Sequence, residues 1–275
     1  MRPRRQGHRE CARGSPYDTV APTFERHRAL PDGVAEAVRA AIRDAVGARP
    51  RPRFLDLGAG TGRIGRAFVA AGDDYVGVDL SRGMLREFTQ RTDAAGPRPR
   101  LVQADGQCLP FAAASFDAVL LVQFWGGGEG WHQVLAEARR VLRSSGALVI
   151  GHPLRPPEGV DAQMKLRLAS VLGELGIQPD EGKARERGER WLESTAARSR
   201  RLIAAAWDAP RSPREFLERH PTGVRFSRLP KPIADEALHR LRRWAIAEFG
   251  SLDAVSSERH ALEFTIFTFL DEGAR

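Results

Sequence analysis

Between Leu55 and Gly65 the chain reads Leu-Asp-Leu-Gly-Ala-Gly-Thr-Gly-Arg-Ile-Gly. Glycines at this density after an apolar run let the backbone turn sharply at a strand end and come close to a ligand. Gly60-x-Gly62-x-x-Gly65 meets the dinucleotide spacing, and Asp79 follows Gly60 by 19 residues. An acid at the end of a second strand binds ribose hydroxyls, so the chemistry here belongs to a nucleoside-bearing cofactor. Three neighbours argue against NAD. Asp56 precedes the first glycine, where it would repel a pyrophosphate and favour a cationic amino-acid group, directly or through water. Asp56-x-Gly58-x-Gly60-x-Gly62 is a cleaner repeat than the version starting at Gly60. A second acid, Asp105, follows a third apolar run and is itself followed by Gly106.

These residues need a sheet that presents them along one edge. Arg53–Leu57, Tyr75–Asp79, Arg100–Ala104, Asp117–Gln123 and Ala147–Gly151 read as five short strands, separated by stretches of helical spacing. Ser81 is placed to cap the helix carrying Met84, Leu85 and Phe88. Alternating strand and helix predicts an α/β doubly wound sheet. Tyr17–Val46 reads mostly as helix, as do Gln163–Gly176, Arg185–Trp207 and Pro232–Phe249. Val224–Leu229 is the expected sixth strand and His260–Leu270 the closing one. The expected organisation is a disordered basic tail over residues 1–15 and an N-terminal helix with the cofactor-binding core over 16–154. A helical insertion, or lid, follows over 155–223, and closing strands with a helix of the same sheet over 224–275.

With these motifs in order, the chain resembles the class I S-adenosylmethionine-dependent methyltransferases, in the broad small-molecule group that includes the ubiquinone/menaquinone-biosynthesis type. The resemblance runs from about Phe54 to His152. It rests on Leu55–Gly65, Val76-Gly-Val-Asp79-Leu-Ser81, Ala104-Asp105 to Phe111, Phe116-Asp117 to Gln123, and Arg140-Val-Leu-Arg143-Ser-Ser-Gly146. It implies a Rossmann-like, mostly parallel sheet with a closing antiparallel strand, and a helical insertion covering the substrate side. It implies S-adenosyl-L-methionine as cofactor and S-adenosyl-L-homocysteine as product. Gly58, Gly60 and Gly62 would lie along the methionine and ribose parts, with Ala59 beside them and Asp56 near the amino end. Asp79 would take the ribose hydroxyls, Leu80 would flank the adenine, and Asp105 with Gly106 would meet its exocyclic amine. Gln123 would sit beside the methionine or methyl group, and Tyr17 and Met84 complete the implied cofactor set.

Methyl transfer from a sulfonium is an in-line displacement with an activated leaving group, so the protein mainly positions and desolvates the reactants. A base matters when the nucleophile is a hydroxyl or a protonated amine. His152 past strand five, His132 at the next helix start, and Glu129 in the loop before it are the candidates. Phe124, Trp125 and Trp131 could wall an apolar or aromatic acceptor. Gln123-Phe-Trp-Gly-Gly is not the Asn/Asp-Pro-Pro-Tyr/Phe sequence of base-amino methyltransferases, and Cys11 and Cys108 do not offer the covalent route to cytosine C5. RNA methylation by another route, using the Arg-rich insertion as a phosphate clamp, is the alternative enzyme. A non-catalytic S-adenosylmethionine-binding module is the alternative outside enzymes.

The chain has 275 residues, 43 of them Lys or Arg against 35 Asp or Glu, and a net charge of +8. Only three of the basic residues are lysines. The first 53 residues carry 12 basic and 6 acidic side chains, residues 54–154 carry 10 of each, and residues 155–230 carry 15 and 11. The excess therefore avoids the cofactor half and falls on the tail and the segments expected to cover the acceptor. An anionic or aromatic small acceptor is consistent with that distribution, and a nucleic acid is disfavoured. Two cysteines make neither a disulfide framework nor a metal cluster, so no metal is expected. No segment reaches the roughly 18–20 apolar residues of a membrane span, and no apolar leader opens the sequence. The expected setting is the cytoplasm.

Overall fold

A computed structural model of the chain describes residues 15–269 apart from 48, 94, 125–129, 178–182, 224–225 and 227. The tail expectation for 1–15 thus lies outside the described residues, save Ser15. Seven strands form one sheet in the order β3-β2-β1-β4-β5-β7-β6. They are β1 (Arg53–Leu57), β2 (Asp74–Asp79), β3 (Arg100–Gln103), β4 (Phe116–Val122), β5 (Leu142–Leu154), β6 (Arg198–Arg211) and β7 (Ser256–Thr268). Neighbours among β1 to β5 pair in parallel, and β7 runs antiparallel to both β5 and β6. The expected doubly wound, mostly parallel sheet with an antiparallel closing strand is present.

The sheet has two covered faces because alternate residues point to opposite sides. Phe54 of β1 packs with Val38 and Ile42 of α1 (Val34–Val46), Phe68 of α2 (Gly65–Ala70) and Phe88 of α3 (Arg82–Arg91). Leu55 and Leu57 point the other way, onto Val134, Leu135 and Ala138 of α4 (Trp131–Val141). That is why β1 and β4 read as continuous apolar runs rather than alternating ones. Asp117, buried at the start of β4, accepts from Arg49 at 2.7 Å, Arg143 at 2.6 Å and the Arg53 amide at 2.9 Å. It locks the amino ends of β1 and β4, leaving their carboxyl ends to form the site.

The second half departs from the sequence-based expectation. The helix expected over Arg185–Trp207 is α6 (Lys183–Thr195) followed by β6, which starts at Arg198. Thr195 and Ser194 turn their hydroxyls back onto the Trp191 carbonyl at 2.9 and 2.8 Å, which competes with the next helical turn. The run Leu202–Ala206 has helix-forming residues, but β7 would otherwise be an open edge, and pairing along its length prevails. The sixth strand expected over Val224–Leu229 falls partly outside the described residues, and the strand beside β7 is β6. Phe226 is buried in a separate helical core with α5 (Val160–Glu174), α7 (Pro213–Arg219) and α8 (Lys231–Phe249). Tyr17–Val46 also divides, into a 3-10 turn at Ala21–His27 and α1, with Gly33 in the left-handed region between them. Among the described residues no helix is long and apolar enough to cross a membrane.

Candidate cofactor and acceptor site

The glycine loop lies where β1 is flanked by β2 on one side and β4 on the other, the point at which open α/β sheets form a ligand crevice. Gly58 and Ala59 both donate to the Val78 carbonyl, at 2.8 and 2.9 Å, which folds the loop over the end of β2. Gly58, Gly60 and Gly62 have φ of +76°, +56° and +79°, a region costly for other residues. Beneath the loop, Asp56 is buried and accepts from the Tyr75 hydroxyl at 2.7 Å. Burial raises its pKa to about 6 against the lowering effect of that hydrogen bond, with the Asp79 charge adding to the rise.

Asp79 joins the loop to the second strand end. One carboxylate oxygen accepts from the Gly60 amide at 2.9 Å and the other from the Ser81 amide at 2.8 Å. Burial raises its pKa, and the two amides oppose that. Each oxygen keeps a further acceptor position, so the pair of ribose hydroxyls has somewhere to bind. Leu80, beside it, is 37% exposed, an apolar surface at the mouth suited to a base. Asp105 uses one oxygen on the Gln107 amide at 2.9 Å, which sets the turn after β3 and leaves the other for an amine. These residues fit the adenosine half of the implied cofactor.

Three predicted cofactor residues are placed less simply. Met84 is buried against Val20 and Ala21, so it supports the crevice wall from behind. Tyr17 is 40% exposed, on a segment held by a residue the sequence reading passed over. Asp18 accepts from the Ser81 hydroxyl at 2.7 Å and the Gly83 amide at 2.8 Å, and these bonds hold its pKa below the usual carboxylate value. Nothing in a linear pattern links positions 18 and 81. Asp18→Ala is expected to cost about 1 kcal/mol of stability and to weaken cofactor binding through the loosened segment. Thermal melts with and without S-adenosylhomocysteine test this; an unchanged ligand-induced shift would show that the latch is irrelevant to binding.

Gln123 takes a left-handed φ of +57°, unusual outside glycine, at the end of β4. Its side-chain oxygen accepts from Arg63 at 2.5 Å, and Arg63 also donates to the Arg28 carbonyl. Arg63 was legible only as filler between Gly62 and Gly65, yet it ties loop, β4 and N-terminal segment together. Burial brings its pKa down to about 10, with Glu25 opposing and Arg28 adding, so it stays charged at neutral pH.

Arg63 and Gln123 form one end of a cavity of about 580 Å³ that continues past Pro153 and Leu154 to α5 and Trp207. The proposed bases lie elsewhere. His152 turns its Nε2 to within 2.5 Å of Glu189 on α6, and His132 sits edge-on between Trp131 and Trp191. Neither lines this cavity among the described residues. Glu129 and Trp125 lie outside the described residues, and Phe124 packs over Gly58. The imidazoles that do line it are His220 and His260. His220 stacks on Phe216 at 4.3 Å and is driven down to about 3, by burial first and then by Arg219 and Lys165. His260 lies 3.1 Å from the buried Glu258, and burial lowers its pKa while Glu258 opposes. The spacing of 258 and 260 on one strand face is a signal that sequence reading could have used.

A profile described as a methyltransferase domain matches residues 54–146. A demethylmenaquinone methyltransferase from Renibacterium salmoninarum is 35% identical over 144 residues, covering 52% of this chain and 59% of that one. The chain thus matches less than two thirds of the length of that relative. One from Thermobifida fusca is 30% identical over 198 residues, covering 70% of this chain and 84% of that one. Among solved structures, a chain from Anaeromyxobacter dehalogenans assigned as a type II methyltransferase is 17% identical with a TM-score of 0.55, covering 85% of this chain and 97% of that one. That likeness concerns the fold alone. The chain belongs to the class I S-adenosylmethionine-dependent methyltransferases, in their menaquinone-biosynthesis-like group.

Proposed function

We propose that this protein transfers a methyl group from S-adenosylmethionine to a quinone-type ring or a chemically similar small acceptor. The observation that carries the reading is the placement of Asp56 and Asp79 at a left-handed glycine loop, with Asp105 following the neighbouring β3 on the same edge of the sheet. The names of the sequence relatives support the acceptor class. The cofactor supplies a sulfonium-bound methyl, already activated for displacement. Asp79 holds the ribose, Leu80 and Asp105 the adenine, and Asp56 favours the amino end. Gln123, oriented by Arg63, faces the junction between cofactor crevice and acceptor cavity, where positioning for in-line attack is needed. Of residues 155–223, expected as a helical cover, Arg198–Arg211 belongs to the sheet as β6. An acceptor-side role for the helical remainder is supported by Leu168 of α5 and Arg219 of α7, which line that cavity. His152, His132 and Glu129 remain candidate proton acceptors.

The test is calorimetry with S-adenosylmethionine, S-adenosylhomocysteine and NADH, followed by labelled methyl transfer to a reduced naphthoquinone. Binding of NADH with no affinity for either adenosyl compound would sink the reading. The Asp56 pKa adds a prediction with a definite sign. A raised folded-state pKa means that the folded protein holds this proton more tightly than the unfolded chain. Its contribution to stability is therefore lost as pH rises from the ordinary value of 3.8 to about 6. A cationic ligand prefers the ionised carboxylate, so S-adenosylmethionine affinity should fall by up to about tenfold per pH unit below pH 6. Asp56→Asn should flatten that limb; a limb that persists in the variant assigns it to another group.

A further inference from the structure

The cavity beyond Gln123 is lined by Arg28, Arg63, Arg155, Lys165, Arg211 and Arg219, and no aspartate or glutamate lines it among the described residues. Asp161, only 1% exposed, stands behind three of these arginines. Arg219 hydrogen-bonds one of its oxygens. Arg155 and Arg211 stand 3.6 and 3.7 Å from the other, too far for a hydrogen bond. Both of their Nε–H groups, and that oxygen, have no hydrogen-bond partner among the described residues. Arg211 also pairs with Glu215 at 3.0 Å. The buried Glu258 also acts on Arg155, so among the described residues three carboxylates stand among these three guanidiniums. Arg63, whose hydrogen bonds go to two uncharged oxygens, is a further cation on the same wall. Burial lowers the pKa of Arg28 and Arg155, and Arg219 lowers each further, while Asp161 opposes at Arg155. Cations crowded in a partly dry cavity are held there at a cost that an anion would relieve.

The rest of the wall is apolar. Leu168 and Leu172 of α5, with Phe226 and Leu229 of the same helical core, line the same space. We infer that this cavity is the acceptor subsite and takes a small molecule with a flat apolar body and an oxyanion, a carboxylate or phosphate. The inference rests on the methyl-transfer reading for the word acceptor, but the anion site stands on the cavity's own charges. A polynucleotide fits less well. The cations converge on one concavity of ordinary small-ligand size, not along a groove that follows a backbone.

Calorimetry on the full chain tests it with 2-naphthoate, 2-naphthyl phosphate and the neutral naphthalene-2-carboxamide, with S-adenosylhomocysteine titrated in parallel. At least one of the anions is expected to bind roughly tenfold or more tightly than the carboxamide, and the tighter of the two names the oxyanion. Arg155→Gln should remove most of that preference. Because this variant also disturbs Asp161, Lys165→Gln at an exposed position is the second arm, expected to cut the preference about twofold to fivefold. The S-adenosylhomocysteine titration of each variant separates a local loss from unfolding. Equal binding of anions and carboxamide by the unaltered protein overturns the inference, as does displacement of 2-naphthoate by a short single-stranded RNA. Anion preference without any S-adenosylhomocysteine binding keeps the oxyanion site and removes the methyl-transfer reading.

Discussion

Replacing Asp79 by alanine is expected to weaken S-adenosylhomocysteine binding by about 1–3 kcal/mol, roughly fivefold to 150-fold. The carboxylate has two tasks at once. It accepts the Gly60 and Ser81 amides at 2.9 and 2.8 Å, fixing the loop and the start of α3, and it keeps acceptor capacity for two hydroxyls. Alanine removes both, so part of the loss is a loosened loop and part is lost ligand contact. A 2′-deoxy analogue of the ligand separates them. The unaltered protein should lose affinity for the deoxy compound, whereas the Asp79→Ala protein should bind the two ligands alike. If the variant still discriminates between them, the ribose is read elsewhere and the crevice assignment is wrong.

Two glycines of the same loop should fail in different ways when changed to alanine. At Gly62, φ is +79° and an added Cβ would overlap the Phe88 ring, which is fully buried beneath the sheet's first face. Left-handed strain of about 1–2 kcal/mol and overpacking of about 1–3 kcal/mol together predict a stability loss of about 2–5 kcal/mol. At Gly60, φ is +56°, but the nearest atom to an added Cβ is the Gly58 carbonyl oxygen at 3.8 Å. Only the strain term applies to folding there, about 1–2 kcal/mol. The methyl would instead occupy the open side of the loop, where the ligand backbone must approach. Gly60→Ala is therefore expected to fold and to bind S-adenosylhomocysteine at least tenfold more weakly, and Gly62→Ala to melt much earlier. Denaturant melts and calorimetry on both proteins check this. The reverse assignment of stability and binding losses would mean that the loop faces its ligand differently.

The asymmetry between the two halves of the chain follows the same physical division. Strands buried on both faces by flanking helices announce themselves as apolar runs, and left-handed turns announce themselves as glycine. So β1 to β5, the loop, Asp56, Asp79 and Asp105 were all legible along the chain. The capping of α3 by Ser81 was legible too, because the Met84 amide it accepts, at 3.1 Å, lies three residues away. β6 was not, because Leu202–Ala206 has no strand preference of its own and is a strand only through the open edge of β7. The surroundings of the expected bases were not legible for a related reason. A position after a strand end fixes neither the direction of an imidazole nor its neighbour, and for His152 that neighbour is Glu189 of α6.

By itself, the sequence determined the sheet's parallel core, the cofactor class its loop can cradle, and the fact that positive charge gathers outside the cofactor half. Those depend on periodicity, local backbone geometry and composition, which are properties of neighbours in the chain. Only the tertiary structure decided which of those charges meet. Arg28, Arg63, Arg155, Arg211 and Arg219 come from five separate places in sequence and converge on one cavity because the N-terminal segment, the glycine loop, the ends of β5 and β6, and α7 meet there. Asp18 likewise meets Ser81 across 63 residues. Convergence over such separations is set by packing, which no local pattern encodes.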